Sequence, residues 1–333
     1  VSARHSLLYF FILPCNLAVA TMPGVDKIIP CIVGPTASGK SDLGIRLALA
    51  TDGEIINLDS IQVYRRLWIA TAKVPLKERQ GVPHHLIDVV EPEENFTAGD
   101  WAALASRMIA EIESRNRMAL LVGGTGFYLR ALVQPLFTGP KTDLRLRRRL
   151  AAIRDRRGPE HLHQLLARLD PASAHRISPR NWSRVMRAIE VYFQTGSPIS
   201  ALQPHTPSPP ELARRIRVLA FNPPREALYR RINERAEKMF ERGLVEEIRT
   251  LIAGGVPSEA KAFQAHGYRR VIEYLEGRRS REDALNQMKL DTRHYAKRQL
   301  TWWRAWPGVE WVNRFGDEPE ALAEAMELLG LKR

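Results

Sequence analysis

Apolar and polar positions change rhythm several times along this chain, and each change predicts an element. Ile28 to Val33 is a short unbroken apolar run that ends at a glycine-rich turn, the pattern of a buried parallel strand. Lys40 to Ala50 predicts a helix. Glu54 to Leu58, EIINL, predicts a second strand that delivers Asp59 and Ser60 at its C-terminal end. Ala98 to Arg117 predicts an amphipathic helix with Thr97 as its N-cap. Met118 to Val122 predicts a third buried strand, ending in Gly123-Gly124-Thr125-Gly126. Strands alternating with helices imply a doubly wound parallel sheet. Ligands of such sheets bind beyond the carboxyl ends of the strands, so the loops after Val33, Leu58 and Val122 are expected to converge on one site.

From about Lys141 the pattern becomes helical and strongly basic, with Arg145, Arg147, Arg148, Arg149, Arg154, Arg156 and Arg157 in one segment. Helical patterning runs to about Thr195, where Gly196 stops it. A linker with Pro198, Pro204, Pro207, Pro209 and Pro210 follows. Arg217 to Phe221 is apolar again and returns the chain to the sheet. Three long helices are expected after it: Arg225 to Ala253, Glu259 to Glu276 and Arg281 to Ala305. The resulting fold class is α/β: a parallel-sheet core with a phosphate loop at residues 28–140 and 212–333, flanked by helices and ending in a helical C-terminal part. A basic helical domain and linker are inserted at 141–211. Residues 1–27 are read as an extension outside that fold. Arg4 and His5 precede the apolar Leu7-Leu8-Tyr9-Phe10-Phe11-Ile12-Leu13, which resembles a secretory signal. Pro14 and Asn16 break the run before it can span a bilayer, and Met22 is the expected start.

The chain has 333 residues, 44% of them hydrophobic, enough for a sizeable core. Its formal net charge of +13 exceeds what solubility needs and attracts polyanions, with nucleic acid first among them. Two cysteines, Cys15 and Cys31, exclude a disulfide framework and a zinc cluster and fit a reducing cytoplasm.

Gly34-Pro35-Thr36-Ala37-Ser38-Gly39-Lys40-Ser41 fits G-x-x-x-x-G-K-[ST], follows a predicted strand and opens a predicted helix. Its backbone N–H groups and the helix N-terminus favour phosphate. Lys40 adds a point charge, and the Ser41 hydroxyl can reach a Mg²⁺ ion. The motif resembles a nucleotide-binding signature but specifies only a di- or triphosphate. Asp59, at the end of the second strand, is either a base or metal-associated acid, or an N-cap. The Thr125 hydroxyl can donate to a leaving oxygen, or cap a tight turn. Arg231 and Arg235 share a helix face, below Arg225. They could clamp a pyrophosphate or form a solvated face. Phe263 to Arg270 and Thr292 to Arg304 interleave aromatic and basic residues, which suits phosphate contact with base stacking and equally suits core packing. His84 and His85 lack partners at metal-ligand spacing and read as structural or substrate-lining.

Taken together, these strings resemble the tRNA dimethylallyltransferase family from about Ile28 to Trp311. GPTASGKS, DSIQVYR, TAK at Thr71 to Lys73, PHHLIDV at Pro83 to Val89, LVGGTGFYLRAL, RAIEVY at Arg187 to Tyr192, LYRRINER, GYRR and YAKRQLTWWR recur in order. The resemblance implies transfer of a dimethylallyl group from dimethylallyl pyrophosphate, with Mg²⁺ at Ser41, to the exocyclic amine of the adenosine 3′ of the tRNA anticodon. That base would be flipped out of its loop. Asp59 would be the proton acceptor, and Thr125 would bond the bridging oxygen of the leaving pyrophosphate. The loop Gly34 to Ser41, with Lys40 and Arg225, would hold that pyrophosphate. Implied tRNA contacts are Asp59, Ser60, Ile61, Gln62, Arg147, Ser183, Arg184, Val185, Met186, Arg187, Gln264, Ala265, His266, Gly267, Tyr268 and Arg269. A cytoplasmic monomer that does not engage membrane is implied. Ala70, Asn181-Trp182-Ser183 and His266 depart from the family pattern of glycine, Asp-Pro-Gln and an apolar residue. The alternatives are an adenylate isopentenyltransferase, which would have little use for the arginine-rich segment, and a small-molecule kinase with the same phosphate loop. A non-catalytic RNA-binding protein would leave the phosphate loop unexplained.

Overall fold

The structure, a computed structural model, describes residues 28–134, 136–137, 139–203 and 208–331. The expectation for residues 1–27, and Pro204 and Pro207 of the linker, lie outside the described residues. The described residues divide into two compact units, one formed by residues 28–133 and 211–331 and the other lying within 134–210.

The larger unit opens with strand β1 (Ile29–Val33), helix α1 (Lys40–Ala50), β2 (Gly53–Leu58), the two-residue β3 (His84–His85), α2 (Ala98–Ser114), β4 (Met118–Gly123) and α3 (Gly126–Val133). The smaller unit holds α4 (Leu144–Arg157), α5 (Pro159–Leu169), α6 (Pro171–Arg176), α7 (Trp182–Thr195) and α8 (Ile199–Leu202). The larger unit resumes with α9 (Leu212–Arg215), β5 (Ile216–Phe221), α10 (Arg225–Glu241), α11 (Leu244–Ala253), α12 (His266–Leu275), α13 (Arg281–Arg304), β6 (Val309–Val312) and α14 (Ala321–Leu328).

All six strands are parallel, in the order β3-β2-β4-β1-β5-β6. Val33 pairs with Gly123, and Leu58 with the same Gly123, so β1, β2 and β4 end level with one another. From β1 the chain crosses toward β2, whereas from β4 it goes to β5 on the far side of β1. The sheet therefore reverses winding between β1 and β4, where doubly wound sheets bind ligands. On one face Ile32, Leu120, Val122 and Leu219 pack with Leu43 and Leu47 of α1 and Ala321 and Ala325 of α14. On α2 and α3, Trp101 stacks on Tyr128 at 5.0 Å, and the Trp101 indole N–H donates to the Asn57 carbonyl at 2.8 Å. Thr97 caps α2 with a reciprocal bond to Asp100, as its sequence predicts.

Two helix expectations are corrected. The helix predicted from Arg225 to Ala253 is broken at Gly243, whose φ of 91° stops α10 and starts α11. The helix predicted from Glu259 to Glu276 is a 3₁₀ turn at Lys261–Gln264, an extended Ala265, and only then α12. That interruption presents Gln264, Ala265, His266 and Gly267 at a helix start. Strands β3 and β6 are additions. No alternating or apolar run marks His84-His85; the pair joins the sheet because the edge of β2 offers a template, with the Ile55 N–H donating to the Pro83 carbonyl at 2.9 Å.

The 134–210 unit packs Leu150, Leu162, Leu166, Val185 and Ile189 into its own core. Its fully buried Glu190 accepts from Arg147 at 3.0 and 3.1 Å, from Arg187 at 2.7 Å and from the Asp143 N–H at 2.8 Å. A buried carboxylate needs such partners.

Candidate active site

The ends of β1, β2 and β4 are fastened together by backbone. The Gly124 and Thr125 N–H groups both donate to the Leu58 carbonyl, at 3.1 and 3.0 Å. The Ser60 N–H donates to Thr125 Oγ1 at 3.1 Å, and Asp59 Oδ1 accepts from the Ile61 N–H at 2.8 Å and the Gln62 N–H at 3.3 Å. Asp59 thus caps its own turn, and one carboxylate oxygen is committed to doing so.

The phosphate loop curls back between β1 and α1. Ala37 takes a left-handed φ of 64°, and the Ser38 N–H bonds the Pro35 carbonyl at 3.3 Å. The Lys40 ammonium donates to the same carbonyl at 3.0 Å. Burial pushes Lys40 down to about 8; Arg235 adds to the shift and Asp59 opposes it. Burial also lowers Arg235, with Asp59 holding it up. Ser38 Oγ is buried with no partner. The first N–H groups of α1 have no intrahelical acceptor and point out of the helix end.

Two cavities meet at this loop. The first, of about 310 Å³, runs from Thr36, Ala37 and Asp59 past Arg235 and Tyr295 to Gln264, Ala265, His266 and Gly267. The second, of about 940 Å³, is lined by Gly39, Lys40 and Ser41 together with Arg231, Arg235, Lys238, Lys73 and Lys77. Ala37, Arg235 and Met239 belong to both. The first is largely apolar-walled, with Asp59, Arg235 and Lys261 as its charged groups. The second is lined by seven Lys or Arg residues against the acids Asp42, Glu78, Glu234 and Asp317, a net cationic vestibule. An anion is favoured where they join.

The structure thus brings Thr36, Ala37, Asp59, Ser60 and Ile61 onto one cavity with Gln264 to Gly267, and Gly39 to Ser41 onto the other. Gly34 and Pro35 lie buried under the loop. Thr125 sits behind Ser60. Gln62 holds the neighbouring chain by donating to the Thr71 carbonyl at 3.0 Å. Arg225 is exposed, lies over the Tyr229 ring at 5.1 Å and lines neither cavity. Arg235, two to three turns further along α10, lines both. Tyr268 is fully buried and donates to Glu247 at 2.8 Å, while Arg269 is exposed. His266 tilts against Tyr295 at 5.2 Å between ring centres and is pushed down to about 4 by burial and by Arg298, so its ring is neutral at pH 7. In the smaller unit, Ser183 and Arg184 are exposed, Val185 and Met186 are buried in the core, and Arg147 and Arg187 hold Glu190.

The His84 Nδ1–H donates to the Val82 carbonyl at 2.9 Å, and His85 bonds the buried Glu54 at 2.6 Å. Cys31 lies in the sheet, its thiol pushed up by burial.

Sequence patterning missed Tyr295 and Gln299. Both project from α13 into the site: Tyr295 lines the first cavity and Gln299 bonds the phosphate loop. The i to i+4 spacing placed them on one face, but nothing local pointed that face at the loop.

Residues 62–306 match the model of a family described as IPP transferase. A tRNA dimethylallyltransferase from Solibacter usitatus is 45% identical over 89% of this chain and 96% of its own length. One from Koribacter versatilis is 42% identical over 91% of this chain and 98% of its own length. The crystal structure of a tRNA isopentenylpyrophosphate transferase from Bacillus halodurans is 37% identical, covers 91% of this chain and 95% of its own, and superposes with a TM-score of 0.66. A eukaryotic dimethylallyltransferase acting on tRNA is 31% identical, covers 83% of this chain and 69% of its own, and gives a TM-score of 0.68. With a family model matched over residues 62–306 and relatives this similar over nearly their whole length, the chain belongs to the IPP transferase family.

Proposed function

We propose that this chain transfers a dimethylallyl group from dimethylallyl pyrophosphate to the exocyclic amine of the adenosine 3′ of the anticodon in tRNA, releasing pyrophosphate. The observation that carries this reading is the first cavity: its one end is the phosphate loop with Asp59, and its other is the Gln264–Gly267 helix start. A diphosphate and a flipped base can approach each other along it. The names of the relatives support transfer of a dimethylallyl group and tRNA as its acceptor.

In this reading the pyrophosphate rests on the loop Gly34 to Ser41 and the start of α1, with Lys40, Arg235 and Arg225 countering its charge. The amine nitrogen forms a bond to the allylic carbon as that carbon's bond to the bridging oxygen breaks. The electron pair leaves with pyrophosphate, and the amine proton passes to Asp59. The Thr125 hydroxyl donates to the bridging oxygen. A Mg²⁺ ion fits the donors present. Ser41 lines the cationic vestibule beside Lys40. Among the described residues no group of three His, Cys, Asp or Glu side chains could hold a metal alone. Ser41 and the pyrophosphate oxygens would therefore hold it, and when bound it neutralises pyrophosphate charge.

The base is received by Asp59 to Gln62 and Gln264 to Arg269. The basic unit contacts the anticodon stem-loop through Arg147, Ser183, Arg184 and Arg187, with Val185 and Met186 seating that stretch of α7 on the unit's core. Among the described residues no helix is long and apolar enough to cross a membrane, and the reading places a monomer in the cytoplasm with its tRNA. The test is incubation with labelled dimethylallyl pyrophosphate and either tRNA or AMP. Label in tRNA is expected. Label in AMP alone would mean an adenylate isopentenyltransferase, and phosphate transfer from ATP would mean a kinase.

A further inference from the structure

Helix α13 reaches the reaction centre at two points one turn apart. Gln299 is buried, and both ends of its amide are used. Its Oε1 accepts from the Thr36 N–H of the phosphate loop at 2.9 Å, and its Nε2 donates to the Gly124 carbonyl at 3.0 Å. A donor and an acceptor partner fix which way the amide faces, since the flipped amide would set N–H against N–H and oxygen against oxygen. The contact is tight: a Cβ at position 124 would overlap the Gln299 amide nitrogen, so only glycine allows it. Gln299 is thus a cross-brace between the loop that holds the leaving group and the turn that carries Thr125.

One turn earlier, Tyr295 lines the cavity, and its phenol shares a hydrogen bond with Thr125. Burial and the nearby Asp59 keep that phenol protonated. The Thr125 oxygen already accepts from the Ser60 N–H. A hydroxyl has two acceptor positions and one hydrogen. The Thr125 hydroxyl itself donates to Ser60 Oγ at 3.4 Å, a long bond. With the Ser60 N–H and Tyr295 donating to both acceptor positions, that long bond is the one the departing oxygen would replace.

We propose that Tyr295 and Gln299 are positioning residues that act through Thr125 and the phosphate loop. Tyr295 orients the Thr125 hydroxyl, and Gln299 sets the distance between that hydroxyl and the bound pyrophosphate. The inference rests on the reading of the reaction given above. It assigns the aromatic-basic face of α13 a task at the leaving group, separate from any contact that the face makes with RNA.

The experiment measures single-turnover dimethylallyl transfer and tRNA affinity for six chains: the parent, Tyr295→Phe, Thr125→Ala, the double variant of these two, Gln299→Met and Gln299→Glu. Tyr295→Phe removes one oxygen and leaves the ring. It is expected to lower the transfer rate by about tenfold, the scale of one lost orienting hydrogen bond, with tRNA affinity unchanged. On the Thr125→Ala background the same change should have no further effect, because there is no hydroxyl left to orient. A full additional loss there, or no loss in the single variant, overturns the role of Tyr295. Gln299→Met keeps the volume and loses both bonds. It is expected to lower the rate by about 10- to 100-fold, as small misplacements do, with tRNA affinity unchanged. Gln299→Glu, which can still accept from Thr36, should recover part of the loss. A rate within twofold of the parent, or weakened tRNA affinity that accounts for the whole loss, overturns the brace. Should Gln299→Met not fold, the Gln299→Glu rate decides the point. Parent chain that fails to prenylate tRNA would instead remove the reading of the reaction itself.

Discussion

Replacing Asp59 by asparagine changes a charge and a proton acceptor while keeping the shape. The asparagine Oδ1 can still accept from the Ile61 and Gln62 N–H groups, which sit 2.8 and 3.3 Å from the carboxylate oxygen. The turn after β2 therefore holds, and the cost to folding is limited to lost charge assistance, about 1 kcal/mol or less. The chemical loss is larger. A positioned general base contributes a factor of about 10² to 10⁴, or about 3 to 5 kcal/mol of barrier. A second loss follows from the neighbouring lysine. Burial and Arg235 push Lys40 down to about 8, and Asp59 holds it up. Without that carboxylate, Lys40 falls further, so at pH 8 a larger share of it is neutral than in the parent. The two losses separate by pH. At pH 7 with saturating dimethylallyl pyrophosphate, kcat should fall by about 10² to 10⁴ with tRNA affinity within about twofold. At pH 8 the variant's KM for dimethylallyl pyrophosphate should rise more than the parent's. A variant kcat within tenfold of the parent at pH 7 would refute Asp59 as the proton acceptor. An unchanged KM difference between the two pH values would refute its support of Lys40.

In the parent chain, Lys40 is charged below about pH 8 and neutral above it, and pyrophosphate binds the charged form. Affinity should fall as pH rises through 8, by up to about tenfold per unit, and Lys40→Met should flatten that profile in calorimetric titrations. The same lowering works against folding at neutral pH, where the buried ammonium is charged. This penalty should be relieved as pH rises from about 8 toward the ordinary lysine value of about 10.5. Arg235→Met should raise the KM for dimethylallyl pyrophosphate by about 10- to 100-fold, the worth of one charge-assisted hydrogen bond, and by more than Arg225→Ala does; the reverse order in steady-state kinetics would return the clamp to Arg225. Glu190→Ala should destabilise the 134–210 unit by about 3 kcal/mol, the low end for a broken buried pair. The low end applies because Arg147 and Arg187 remain 34% and 28% exposed and can rehydrate. Hydrogen exchange at Val185 to Val191 reads it, and a change below about 1 kcal/mol would show that Glu190 does not hold the two arginines in place.

What could be read from sequence was what local pattern controls. β1, β2 and β4 are short apolar runs bounded by turns, so their ends, and with them the phosphate loop, Asp59 and Thr125, were placed correctly relative to the sheet. β3 was not legible, because two histidines carry no strand pattern and pair only where β2 offers an edge. The break at Gly243 was hidden because apolar positions continue at helical spacing on both sides of it. Arg235 looked like one arginine among several, since the cavities that single it out are formed by elements far apart in sequence. Gln299 is the hardest case, lying 263 residues from the N–H it accepts from. Its helix nevertheless carried a readable sign. Met288, Ala296 and Trp303 are buried at helical intervals, and Gln299 falls on the same stripe. A glutamine on a buried stripe has to satisfy both ends of its amide or lose stability. That obligation calls for one donor and one acceptor outside the helix, and backbone groups in the loops at strand ends are suited to supply both. Burial of a polar residue on an otherwise apolar stripe is therefore the signal by which a distant brace on a phosphate loop can be found, before any contact is known.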